Sequence, residues 1–180
     1  MTEITYTLED LRGVGRVELA LRPDQRAYVF FGSNGVGKTK CLEGLFQYYY
    51  FPHFDGVITK IRDLSTGFAS LLKILQTIIS GYGFFTNSTD LANVKGIVFI
   101  DEIESHLHVE WQSKIIPLLK RLFSNTTFFV ATHSPIVLSQ LKEGEAYRLE
   151  KQADGVVRAT IIEASGVISC ESPCWCKNAL

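Results

Sequence analysis

Hydrophobic residues along the chain fall into short unbroken runs and longer stretches of helical spacing, with polar loops between them. Ala27–Phe31, Gly96–Ile100 and Thr127–Ala131 are apolar at nearly every position. Runs of that kind predict strands buried on both faces, as in the middle of a parallel sheet. Ile4–Tyr6 and Val17–Leu21 predict two more strands around a turn with Gly13 and Gly15, and Ala146–Glu150 and Val156–Ile162 another pair around Gly155. Leu42, Leu45 and Phe46 share one face of a helix that Pro52 ends. Leu71, Leu72, Leu75, Ile78 and Ile79 predict a second helix ending near Gly81 and Gly83. Val109–Phe123 predicts an amphipathic third, kinked at Pro117, and Ile136 to Leu141 starts a fourth. Asp55–Asp63 reads as a loop or short strand, and Tyr82–Lys95 as a polar surface loop. Strand, loop and helix in alternation predict an α/β fold with a mostly parallel sheet covered by helices on both faces. Residues 1–164 are expected to form one folded unit and 165–180 an irregular tail.

Three clusters carry candidate chemistry, and each directly follows a buried strand. Gly32-Ser-Asn-Gly-Val-Gly-Lys-Thr39 fits the phosphate-loop pattern G-x4-G-K-[ST] without a mismatch. Its glycines let successive N–H groups converge on an anion, and the helix that begins there adds its positive end. Lys38 brings a cation to the phosphates, and the Thr39 hydroxyl can ligate Mg2+. Asp101 and Glu102 close the second strand: Asp101 can hold the cation and Glu102 can deprotonate an attacking water. Acids at a strand end also serve as helix caps, and the phosphate loop is what favours the catalytic reading. His133 closes the third strand, where it can donate a hydrogen bond to a γ-phosphate. In open α/β sheets ligands bind at the carboxyl ends of the strands, so the three clusters are expected on one edge.

Asn34 within the phosphate loop, Asp101-Glu-Ile-Glu-Ser-His-Leu-His108 and Ala131-Thr-His-Ser-Pro135 resemble the ABC-type ATPases of the RecF, OLD and SMC group. They are most similar to bacterial AAA family ATPases of phage-defence and mobile-element loci. The resemblance spans Ile4 to Glu150 and implies a P-loop NTPase, an ABC-type head that binds and hydrolyses ATP with Mg2+. It further implies that Gly32, Asn34, Gly35, Gly37, Lys38 and Thr39 hold the nucleotide. Thr39 and Asp101 would anchor the metal, Glu102 would be the general base, and His133 the switch histidine. Leu64–Ser70 resembles the family's signature loop, so Ser65 and Gly67 would complete the site of a second protomer in a head-to-head homodimer. Without the resemblance, that stretch reads as a capped helix start. Ser105–His108 corresponds to a loop that touches the other protomer. The family's Gln-bearing loop is missing between Thr39 and Leu64, where the lone Gln47 falls on a helix. Slow hydrolysis is therefore expected, signalling to an effector protein (a nuclease or toxin) or to DNA, in phage defence or DNA maintenance. The alternatives are a non-catalytic ATP-dependent dimerisation switch and, less well matched, a small-molecule P-loop kinase.

Composition narrows the setting. With 180 residues, 46% of them hydrophobic, the chain can bury a core without a metal or disulfide staple. Eighteen Lys+Arg against 19 Asp+Glu give a net charge of −1, which offers no evidence for a bulk basic nucleic-acid binder and leaves a local basic groove open. Met1–Asp10 alternates acidic and β-branched types, so no signal peptide is expected there, and no apolar stretch is long enough for a bilayer. Four Cys in such a chain read as reduced thiols in the cytoplasm. Tyr48–Phe54 reads as core aromatics rather than a base-stacking platform, and His106 with His108 offers too few ligands for a metal site. Cys170, Cys174 and Cys176 belong to the expected tail. No fused effector domain is expected within these residues.

Overall fold

The computed structural model describes residues 3–23, 25–50, 57–61, 68–85, 93–105 and 107–162. The expected tail, residues 165–180, lies outside them. Eight strands form one sheet: β1 (Ile4–Leu11), β2 (Gly15–Leu21), β3 (Ala27–Phe31), β4 (Val57–Ile61), β5 (Gly96–Ile100), β6 (Thr126–Ala131), β7 (Ala146–Lys151) and β8 (Val157–Ile161). Their order is β1-β2-β8-β7-β3-β6-β5-β4. From β7 to β4 every neighbouring pair is parallel, whereas β1·β2 and β7·β8 are antiparallel hairpins and β2·β8 is parallel. Asp55–Asp63, open between loop and strand in the sequence, supplies β4 on the sheet edge.

The period of two in each strand sorts the core into two layers. Ala27, Val29 and Phe31 of β3, with Val98, Ile100, Phe128 and Val130, face α2 (Phe68–Phe85) and α4 (Ile115–Leu122). Tyr28 and Phe30, with Ile97, Phe99 and Phe129, face α1 (Lys38–Tyr50) and the β1–β2 hairpin. Phe129 stacks between Tyr28 and Phe99, with ring centroids 5.0 and 5.1 Å away. Helices thus cover both faces, and β3, β6 and β5 are buried throughout except at half-buried Thr127.

Three elements depart from the sequence expectation. Helix α2 runs through Gly81 and Gly83 rather than ending there. Its buried positions are Leu71, Ile74, Ile78 and Tyr82, while Leu72 and Ile79 are exposed. Tyr82, expected on a surface loop, is fully buried and its hydroxyl lies 2.5 Å from that of Thr126. A buried aromatic with a satisfied hydroxyl outweighs the roughly 1 kcal/mol that a glycine costs within a helix. The Val109–Phe123 segment is two helices, α3 (Val109–Gln112) and α4, and the break precedes Pro117 instead of falling on it. A proline ring clashes with the carbonyl four residues earlier, here Ser113, so Pro117 is accommodated in the first turn of α4. The helix expected from Ile136 to Leu141 is the four-residue α5 (Pro135–Leu138), capped by Ser134.

Far from the loops that end β3, β5 and β6, Glu145 precedes β7 with only 2% of its surface exposed. One carboxylate oxygen pairs with the Lys120 ammonium, the other accepts the Lys142 N–H at 2.9 Å, and its main-chain oxygen accepts the Val29 N–H at 2.7 Å. Glu145→Ala leaves that ammonium unpaired and is expected to cost about 3 kcal/mol of stability. Urea denaturation checks this; a loss below about 1 kcal/mol would mean that Lys120 reaches water.

Candidate functional site

The strand order places β6 between β3 and β5, all parallel, so their carboxyl ends lie side by side. The loops that leave them are Gly32–Thr39, Thr132–Ser134 and Asp101–Ser105. The three clusters read from the sequence therefore share one edge, with His133 following the middle strand.

Close packing dictates two glycines of the first loop, Gly32 and Gly37. A Cβ on Gly32 would lie 2.5 Å from the Leu149 carbonyl oxygen. At Gly37, φ is +104° and a Cβ would lie 2.8 Å from the Val14 side chain, at the tip of the β1–β2 hairpin. Lys38 folds back beneath the loop, its ammonium donating to the carbonyl oxygens of Gly32 and Ser33, each at 3.0 Å. Burial lowers its pKa, and the negative charges of Asp101, Glu104 and Glu102 act against that shift. Ser33, Asn34, Gly35 and Thr39 are exposed at the mouth. The first turn of α1 carries no acidic residue, so the helix's positive end is left for an anion.

At the end of β5, Asp101 is half-buried and Glu102 exposed. Glu102 has φ +48°, a left-handed conformation that costs a residue with a side chain roughly 1–2 kcal/mol. Strain of this sort persists where the surroundings impose it, often at functional positions. The Ser105 hydroxyl donates to the Glu102 carboxylate at 3.1 Å and the Ser105 N–H to its carbonyl at 2.8 Å, which closes the turn. Half-buried Glu104, given no role in the sequence reading, accepts the Thr132 hydroxyl at 2.6 Å and the His133 N–H at 2.5 Å. Its only signal was a third acid in the Asp101-Glu-Ile-Glu104 run. His133 is half-buried. Ser134 caps α5, accepting from the N–H groups of Ile136 and Val137. Its hydroxyl also donates to Gln112 at 2.7 Å, and Gln112 in turn donates to the Leu107 carbonyl at 2.9 Å.

Ser65, Gly67 and His106 lie outside the described residues, as do Cys170, Cys174 and Cys176. Gln47 is exposed on α1. Tyr48 is half exposed, while Tyr49 hydrogen-bonds Tyr6 at 2.7 Å. The site suits a nucleotide with Mg2+: an exposed hydroxyl and a carboxylate supply hard oxygen donors, to which phosphate oxygens add. No helix among the described residues is long and apolar enough to cross a membrane.

The chain is similar to several known proteins. The chain is 35% identical over 118 residues to the Retron Ec83 probable ATPase of Escherichia coli, covering 61% of this chain and 22% of that protein. It is 33% identical over 101 residues to Septu protein PtuA of Bacillus mycoides (strain KBAB4), covering 56% and 14%. It is 37% identical over 95 residues to the Retron Vc95 probable ATPase of Vibrio cholerae serotype O1 biovar El Tor, covering 49% and 18%. The chain thus spans less than a quarter of each of these relatives. Among solved structures, one titled "RNase-L Inhibitor" matches with a TM-score of 0.53 at 18% identity, over 90% of this chain and 40% of that one. A "Model of ribosome-bound archaeal Pelota and ABCE1" matches at 0.50 and 16% identity, over 89% and 34%. At such identities the likeness concerns the fold alone, which is that of a P-loop NTPase. A family model described as "AAA domain, putative AbiEii toxin, Type IV TA system" matches residues 45–139, more than half of the chain, and the chain belongs to that family of ATPase-type domains.

Proposed function

We propose that the chain binds Mg-ATP across the three loops and hydrolyses it slowly as a head-to-head homodimer. The observation that carries this reading is buried Lys38, whose ammonium is held on the Gly32 and Ser33 carbonyls of the phosphate loop, in the field of Asp101, Glu104 and Glu102. On binding, Lys38 exchanges the carbonyls of Gly32 and Ser33 for phosphate oxygens. Loop N–H groups from Asn34 to Thr39 and the start of α1 hold the rest of the polyphosphate. Thr39 and Asp101 hold Mg2+, which when bound neutralises phosphate charge. Glu102 is exposed and can accept the proton of an attacking water, while His133 donates to the γ-phosphate.

Ser65 and Gly67 of one chain complete the site of the other, so that ATP joins two copies and hydrolysis releases them. The output is a signal to an effector protein, a nuclease or toxin, or to DNA, in a cytoplasmic phage-defence or DNA-maintenance system. The relatives' names support this setting: two are named retron probable ATPases and one a Septu protein. A non-catalytic switch, in which ATP drives dimerisation without turnover, is the second reading. What favours it is Gln47, exposed on α1 where no loop carries it to the site.

A mixing experiment tests the shared site. Ser65→Arg should bind ATP without dimerising or turning over, since a bulky cation would fill a space suited to a hydroxyl. Lys38→Ala should fail for want of nucleotide. A mixed dimer has one site with both defects and one intact, so phosphate release should partly recover. No recovery in a mixed dimer shown to form would remove the role of Leu64–Ser70 in the partner's site.

A further inference from the structure

We propose that Glu104 is a positioning residue that ties the His133 loop to the Asp101–Glu102 turn, and that it does so by geometry rather than by charge. The inference rests on the proposed contact of His133 with the γ-phosphate. Glu104 lies four residues beyond the end of β5, and Thr132 and His133 follow β6. Both carboxylate oxygens are occupied: Oε2 by the Thr132 hydroxyl at 2.6 Å, and Oε1 by the main-chain N–H of His133 at 2.5 Å. Thr132 is fully buried, so this bridge is anchored in the interior. It ties the main chain of His133 to the short turn that carries Glu102, and so contributes to the separation of proton acceptor and phosphate contact. Three links survive without it. The Thr132 N–H donates to the Phe30 carbonyl at 3.1 Å, the Ile103 N–H donates to the Ala131 carbonyl at 3.3 Å, and Ser134 donates to Gln112 at 2.7 Å. Loss of Glu104 should therefore loosen the His133 loop without unfolding the sheet.

The chemistry of glutamine separates geometry from charge. In Glu104→Gln the amide oxygen can still accept the His133 N–H, and the amide N–H can donate to the Thr132 oxygen. That oxygen already accepts the Ser134 N–H at 3.0 Å but has a second lone pair. In Glu104→Ala both contacts vanish.

Phosphate release, with ATP varied, reads the effect. Glu104→Ala should lower kcat about ten- to a hundredfold and leave KM within about threefold, as misplacing a group near the reacting atoms does. Glu104→Gln should restore most of that loss. In a His133→Ala background, Glu104→Ala should lower kcat no further. Wild-type kcat in Glu104→Ala, additive losses in the double variant, or a Glu104→Gln as inactive as Glu104→Ala would each overturn the proposal. The last outcome would make the charge itself the working feature. Amide hydrogen exchange decides independently of turnover: the His133 amide should exchange about tenfold or more faster in Glu104→Ala and stay protected in Glu104→Gln. If the wild type releases no more phosphate than Lys38→Ala, the proposed hydrolysis falls. The exchange experiment still tests Glu104, and unchanged protection of His133 in Glu104→Ala overturns its role.

Discussion

Lys38→Ala is expected to weaken ATP binding by about 1.5–3 kcal/mol, from roughly tenfold to over a hundredfold, through loss of a charge-assisted contact. The surroundings of the side chain point to the upper end of that range. Its ammonium lies in the field of Asp101, Glu104 and Glu102, and without it a polyphosphate meets those three carboxylates with one cation fewer to offset them. The carbonyls of Gly32 and Ser33 also lose their donor, so the loop itself is less well held in the variant. Lys38→Met keeps the buried stem and isolates the charge. Titration calorimetry should find both variants weak; equal affinity in wild type and Lys38→Met would place the phosphates elsewhere. A pH series adds a second constraint. Burial lowers the Lys38 pKa from the ordinary 10.5, so ATP affinity should decline with rising pH before an ordinary lysine would titrate. Between the lowered folded value and the ordinary unfolded one, the unfolded chain binds more protons. Fold stability in the absence of nucleotide should therefore rise with pH across the same window. Opposite slopes for affinity and stability are the signature of this one group.

The edge that carries the chemistry was legible because apolar runs of only five or six residues, bounded by polar residues and glycine, suit strands buried on both faces. β3, β5 and β6 are such runs, and each is followed at once by polar or glycine residues that have nowhere else to go than the carboxyl edge. Helix α1 was legible for a similar reason, since Leu42 and Leu45 bury against the sheet and Phe46 packs beside them. What the sequence hid depends on partners distant along the chain. Tyr82 is interior because Thr126, 44 residues away, meets its hydroxyl, and periodicity read past Gly81 was too weak to show that. Glu104 was hidden for the same reason: its partners are 28 and 29 residues on, and nothing local separates it from a solvated acid. Glu102 was identified by its place beside a phosphate loop, but its left-handed backbone could not be read, because such a conformation in glutamate is imposed by the turn.

That backbone sharpens the expectation for the proposed base. Glu102→Gln keeps size, the Ser105 contact and the strained turn, yet cannot take a proton, so phosphate release should fall about 10²–10⁴-fold while ATP still binds. ATP-bound dimers should accumulate, and sizing in ATP would show them. Glu102→Gly removes the carboxylate and also the left-handed strain, which glycine adopts freely. It should be as inactive as Glu102→Gln but more stable than wild type by about 1 kcal/mol, after allowing for the extra chain entropy of glycine. The two variants together separate the chemistry of residue 102 from the cost of presenting it. Activity retained in Glu102→Gln but lost in Glu102→Gly would make the side chain a spacer and move the proton to another acceptor. Activity lost in both, with stability gained only in the glycine variant, is the pattern of a base held in place at the expense of the fold. A wild type with no turnover above Lys38→Ala would instead leave ATP as the bridge of a switch, with Glu102 contributing to its closure alone.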